Sequence, residues 1–191
     1  MNKISHKIIL FSLLCILISP FASAQSHKEY KLSLLTCGTG SELYSSFGHS
    51  AIRVISPSDS VDMIYNFGIF NFDDPQFYSK FANGIMLYML GTQRTIHFIE
   101  DYNEEQRWVV EQKINLPDST QTALVEWLKF TRRPENREYY YDFLRNNCSS
   151  KLRDIIMIMQ YHHLKFNNPR INKTHRDLIA ECLRENKWAN F

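Results

Sequence analysis

His49-Ser50-Ala51-Ile52-Arg53-Val54-Ile55, then Ser56-Pro57-Ser58-Asp59-Ser60, then Val61-Asp62-Met63-Ile64-Tyr65-Asn66-Phe67 is the stretch on which the fold turns. The outer runs are rich in β-branched and aromatic residues, and the five residues between them are turn formers. That pattern predicts an antiparallel hairpin. With the turn centred near Pro57-Ser58, paired residue numbers sum to roughly 115. Asn66 then lies opposite His49, within a residue or two, on the same face. A one-residue slip would turn Asn66 away.

Working outward, Tyr30 to Thr36 reads as a preceding strand, closed by the turn Gly38-Thr39-Gly40. Asp73-Asp74-Pro75 opens a short helix, with Phe77 and Phe81 inward and Gly84 as its stop. Ile85 to Leu90 and Gln93 to Ile99 read as a second hairpin around Gly91-Thr92. Asn103 with Gln106 resembles a capping box for a helix to about Lys113. Asp118 or Ser119 caps another, with Leu124, Trp127 and Leu128 on one side. Asn147 precedes a third, carrying Leu152, Ile155, Ile156 and Met159 at helical spacing. Thr174 with Asp177 opens a last helix, with Leu178, Ile179 and Cys182 inward. Antiparallel hairpins with separate helices mean an α+β fold. The stretch from Phe166 to Lys173 is the only candidate linker, and no internal domain boundary or repeat appears.

The chain has 191 residues, 44% hydrophobic, 14% aromatic and 22% charged, a globular composition. Its first residues read differently. Lys3 and Lys7 precede an apolar run from Ile8 to Ile18, Pro20 ends it, and Ala22-Ser23-Ala24 forms a small-residue cleavage site before Gln25. The run is short for a membrane span. The expectation is a cleaved signal peptide over 1–24, an exported domain over 25–191 and a periplasmic location. Residues 1–24 hold two lysines and no acid, so the net charge of +2 falls to zero without them. No nucleic-acid footprint survives. Three cysteines then remain, Cys37, Cys148 and Cys182, too few for a disulfide scaffold. The odd count leaves one thiol unpaired, expected to be Cys148, with Cys37 and Cys182 either paired or buried and reduced.

Cys148 stands in Asn146-Asn147-Cys148-Ser149-Ser150. With Asn147 as the N-cap, Cys148 is the first helical residue, where unpaired N–H groups and the positive end of the helix dipole favour a thiolate. Taken alone, Cys148 reads equally as a small buried hydrophobe or half of a disulfide, and His49 as a hydrogen-bonded structural histidine. Taken together, Cys148, His49 and Asn66 are a nucleophile, a base and an amide that orients the base, the parts of a cysteine acyl-transfer site. The remaining histidines carry less. His97 is expected mid-strand with a structural role, and His162-His163 stand at a helix end. No zinc-binding pattern and no phosphate loop is present, so neither metal nor cofactor is expected. The aromatic run from Tyr139 to Phe143 reads as core or groove packing ahead of a lipid-facing patch.

These motifs carry a resemblance. Ser41-Glu42-Leu43-Tyr44-Ser45-Ser46-Phe47-Gly48-His49-Ser50-Ala51-Ile52-Arg53-Val54, Tyr65-Asn66-Phe67-Gly68 and Phe70-Asn71-Phe72-Asp73-Asp74-Pro75 are similar to the signature of the Lnb-type N-terminal periplasmic domain. So are Pro134-Glu135-Asn136-Arg137, Tyr141-Asp142-Phe143-Leu144-Arg145-Asn146-Asn147-Cys148, Arg153-Asp154-Ile155, Arg176-Asp177-Leu178-Ile179 and Trp188-Ala189-Asn190-Phe191. The resemblance implies a permuted papain-like fold, with His before Cys in the chain, similar to the lecithin:retinol acyltransferase group. It implies N-acylation of lipoproteins from a phospholipid donor, with Cys148 as nucleophile, His49 as base and Asn66 as third member. The implied partners are membrane phospholipid and a lipoprotein N-terminus. The family usually continues into membrane helices beyond the position of Phe191, so the chain is expected to be a C-terminally truncated relative. Where the family usually has an acidic residue before the cysteine, this chain has Arg145 and Asn146. The alternative readings are a papain-like cysteine peptidase or amidase on cell-wall peptides, and a non-catalytic lipid- or protein-binding relative.

Overall fold

The computed structural model describes residues 29–70, 74–76, 79–80, 83, 85–160 and 171–184. The expected signal peptide, most of the short helix through Phe77 and Phe81, the pair His162-His163 and most of the expected linker lie outside the described residues.

The opening hairpin forms as its composition dictates. Strand β1 (Lys31–Cys37), β2 (His49–Ser56) and β3 (Val61–Ile69) run antiparallel, and Pro57–Asp59 makes one 3₁₀ turn between the last two. β4 (Leu87–Arg94), β5 (Val109–Ile114) and β6 (Glu138–Tyr140) complete a six-stranded antiparallel sheet in the order β5-β1-β2-β3-β4-β6. Four α-helices accompany it among the described residues: α1 (Thr95–Glu104), α2 (Asp118–Thr131), α3 (Cys148–Met159) and α4 (His175–Cys182). The α+β expectation holds.

Strand alternation decides what each face buries. On one face Leu32, Ile52, Val54, Tyr65, Phe67 and Leu90 meet Leu124, Val125 and Leu128 of α2 and Leu152 and Ile155 of α3. On the other, Leu35, Cys37, Ala51 and Ile64 meet Phe98 of α1. The central strands are therefore covered on both sides, and each large buried aliphatic or aromatic side chain contributes about 1.5–3 kcal/mol. The α1 face also holds a polar cluster. Arg53 donates to both carboxylate oxygens of Asp62 at 2.9 and 2.7 Å and to Glu111 of β5, and the Thr95 hydroxyl donates to Asp62. Arg53 holds the Asp62 carboxyl below its ordinary range.

Two expected elements differ. Gly91-Thr92 is not a turn: β4 runs through it to Arg94, pairing with Asn66 and Tyr65 of β3, and Ile69 occupies the space a side chain at Gly91 would fill. The expected strand to Ile99 is then helix α1, whose Thr95 and Phe98 are buried while Tyr102 packs against the same cluster, at helical spacing. The expected helix from Asn103 to Lys113 is also absent. Gln106, at φ 55°, ends α1 just beyond its last turn, and Val109–Ile114 pair with the free edge of β1. The β-branched Val109 and Val110 suit that pairing.

Candidate active site

The loops preceding His49 and Cys148 meet at the N-terminus of α3. Asp142 accepts from the N–H groups of Leu144 and Arg145 at 2.9 and 2.7 Å, and Asn146 donates through its amide to the Tyr140 carbonyl at 2.6 Å. This hydrogen-bonded turn delivers Asn147, which caps α3. Its side chain accepts from Ser150 N–H at 2.8 Å, its own N–H donates to Ser150 Oγ at 2.8 Å, and its amide donates to the Phe143 carbonyl at 2.6 Å. Cys148 follows as the first helical residue, as the sequence predicts. The N–H groups of the first turn have no acceptor within the helix, and the cap occupies only that of Ser150.

His49 is the first residue of β2 and the register partner of Cys37 on β1. Gly48 leads into it at φ +69°, and a Cβ there would stand 2.8 Å from the Cys37 carbonyl oxygen, so the close approach requires glycine. The β2–β3 register runs through Ile52↔Tyr65. Continued three positions, it sets Gly68 opposite His49, while Asn66 falls beside Ala51. Asn66 is thus the diagonal neighbour of His49 on the same face. The expected pairing is off by one step of two residues, which leaves the face unchanged. His49 Nε2 and Asn66 Oδ1 are 2.5 Å apart. An amide oxygen only accepts, so Nε2 carries a proton, and Nδ1 is the ring nitrogen left for another partner.

Gly68 closes the arrangement. It sits at φ +101°, in the irregularity between Phe67 and Ile69 of β3. A Cβ at Gly68 would stand 3.9 Å from both Cys148 Cβ and His49 Cε1, so the two side chains meet over this glycine. Burial opposes ionisation of the Cys148 thiol. The hydrogen bond and charge of His49 outweigh it, with help from the Ser50 backbone and the Ser149 hydroxyl, and bring the thiol down to about 7. The structure therefore brings together all three residues singled out from sequence.

Sequence reasoning missed two hydroxyls. Ser50 Oγ and Ser149 Oγ are 3.0 Å apart, and Ser149 Oγ is 3.9 Å from Cys148 Sγ. The signal was adjacency: each serine directly follows a candidate residue. Phe47 and Phe143 add a second tie between the loops preceding His49 and Cys148, edge to face at 4.6 Å between centroids. Tyr141 stacks on Tyr88 at 4.2 Å, and Phe70 lies 5.0 Å from Tyr88. Tyr139, Tyr141 and Tyr88 are packing aromatics, whereas Tyr140 is exposed. In the loops preceding His49 and Cys148, Tyr44, Phe143 and Leu144 stay 60%, 38% and 47% exposed.

Cys37 is buried and free, the second of its two expected states, and burial pushes its thiol up to about 11. Other expectations change. Cys182 is free and exposed, neither paired nor inward; Leu178 is exposed as well, and of the expected inward face of α4 only Ile179 is half-buried. His97 lies on the exposed side of α1, with Nδ1 3.1 Å from Glu100, instead of mid-strand. Among the described residues, no group of three or more His, Cys, Asp or Glu side chains is placed to hold a metal ion. Among the same residues, no helix is long and apolar enough to cross a membrane.

A protein-family model described as the Lnb N-terminal periplasmic domain matches residues 21–180. Searches of curated proteins and of solved structures each found no match to the chain.

Proposed function

The chain belongs to the Lnb N-terminal periplasmic domain family, and from that premise we propose that it is an exported cysteine acyltransferase of the permuted papain-like kind. In this reading it moves an acyl group from a membrane phospholipid to a lipoprotein amine. The observation that carries the reading is the pairing of a His49 ring held by Asn66 at 2.5 Å with a Cys148 thiol drawn down to about 7. That pairing supplies an ionised nucleophile and an oriented base near neutral pH.

The steps follow from the atoms. His49 Nδ1 takes the Cys148 proton, and the thiolate attacks the carboxyl ester carbon of the donor. The C–O bond breaks, the leaving alkoxide takes the proton from His49, and the acyl group remains as a Cys148 thioester. The acceptor amine then attacks the thioester carbon. The C–S bond breaks, His49 removes the surplus amine proton, and Cys148 recovers its thiol. Free N–H groups in the first turn of α3 support the carbonyl oxyanion of both steps. The exposed apolar rim of Tyr44, Phe143 and Leu144 favours an acyl donor over a polar cell-wall peptide.

The test is incubation of the protein with diacyl phospholipid vesicles and an N-terminal lipopeptide. Lysophospholipid release coupled to an amide-linked acyl chain on the peptide is expected. Lipopeptide cleavage without acyl transfer would favour the peptidase reading and sink this one.

A further inference from the structure

Ionisation of Cys148 constrains its neighbours. A thiolate only accepts hydrogen bonds. Ser149 Oγ, 3.9 Å from Sγ, must then donate its proton to the sulfur. With that proton committed, the 3.0 Å contact to Ser50 Oγ requires Ser50 to donate to Ser149. In the thiol form the single S–H proton serves either His49 or Ser149, and the hydroxyl chain can reverse only while that proton points at Ser149. Proton transfer from Cys148 to His49 therefore aligns two hydroxyls into one chain ending on sulfur.

The same chain spans the two elements that carry the chemistry. Ser50 follows His49 on β2 and Ser149 follows Cys148 on α3, 99 residues apart in sequence. We propose that Ser149 is a further catalytic residue, donating to the Cys148 sulfur, and that Ser50 is a positioning residue acting through Ser149. This inference rests on the reading of Cys148 as a nucleophile. The other titratable groups that interact electrostatically with the sulfur are His49 on β2, Cys37 on β1, Tyr139 on β6 and Tyr141 just after it. Burial pushes the Cys37 thiol and both phenols up, so they stay neutral where Cys148 ionises. His49, the Ser50 backbone N–H and the hydroxyl chain are left to set that ionisation.

The experiment is the pH profile of Cys148 alkylation by iodoacetamide in the full chain, followed on the Cys148 peptide by mass spectrometry. It uses no acyl donor, so its outcome is separate from that of the acyltransferase reading. Ser149→Ala removes the donor to sulfur and is expected to move the midpoint up by about one pH unit. Ser50→Ala keeps its backbone N–H and is expected to move the midpoint the same way by less. Combining the two should move it no further than Ser149→Ala alone, because Ser50 acts through Ser149. Ser149→Thr restores a hydroxyl and should restore the midpoint. Thermal melts confirm that each variant is folded, and Ser50→Ala carries the test if Ser149→Ala is not. An unmoved midpoint in either single variant, additive shifts in the pair, or no rescue by threonine overturns the proposal.

Discussion

Asn66 touches His49 and not the sulfur, and the cost of losing it follows from that. Asn66→Ala leaves nucleophile and base in place and removes about one net hydrogen bond, so acyl transfer is expected to fall about tenfold. His49→Ala removes the base itself and is expected to cost about 10²–10⁴-fold. Cys148→Ala should abolish transfer, and Cys148→Ser should nearly do so, since a hydroxyl is far less ionised than a thiol in a site built for thiolate. Single-turnover rates with a phospholipid donor rank these variants, and an Asn66→Ala loss equal to that of His49→Ala would contradict the assigned roles. The pH dependence has a definite sign. A thiol brought down to about 7 is protonated below that point. Alkylation of Cys148 should therefore drop about tenfold per unit below pH 7 and level off above it. Buried Cys37, pushed up to about 11, should remain unmodified across the same range.

At the scale of elements, the N-terminus of α3 and the irregular end of β3 do the positioning. The Asn147 side chain makes two hydrogen bonds at the cap, accepting from the Ser150 N–H and donating to the Phe143 carbonyl. Asn147→Ala is expected to cost about 1 kcal/mol, seen as about 2–4 °C in Tm for a chain of this size, with a larger loss of Cys148 reactivity than of stability. Gly68→Ala is expected to cost about 1–2 kcal/mol through its positive φ. Its Cβ would meet Cys148 and His49 only at ordinary contact distance, 3.9 Å. Thermal melts of both variants check these values. This end of the molecule was legible in the sequence because its signals are local: a turn between two β-rich runs, an N-cap before an apolar helical face, and same-face placement that survives a register error of two. What misled the reading was context. Gly91-Thr92 carries turn chemistry, but both residues pair in register with Asn66 and Tyr65 of β3. Trp108 to Ile114 follows a capping-box pattern, but the open edge of β1 recruits Val109–Ile114 into the sheet. Ser50 and Ser149 were invisible as a pair because their contact depends on how α3 lies across β2, which no local pattern encodes.

For the whole molecule, the sheet's function is to make neighbours of residues from distant parts of the chain. Helix α3 lies on the face formed by Ile52, Phe67 and Leu90, and Leu152 and Ile155 anchor it there. Leu152 is 1% exposed, so Leu152→Ala should cost about 2–5 kcal/mol and should loosen the Cys148–His49 contact along with the core. Alkylation of Cys148 in that variant is expected to lose its low midpoint even where circular dichroism still reports a fold. The central claim is that this packing creates a nucleophile able to carry an acyl group. The most direct measurement is the intact mass of the folded protein after exposure to diacyl phospholipid, with Cys148→Ala alongside. The expected result is one added acyl mass on the native protein, mapped to the Cys148 peptide and discharged by neutral hydroxylamine, with no addition on Cys148→Ala. A folded native protein that gains no acyl mass, or an equal gain on Cys148→Ala, would contradict the account.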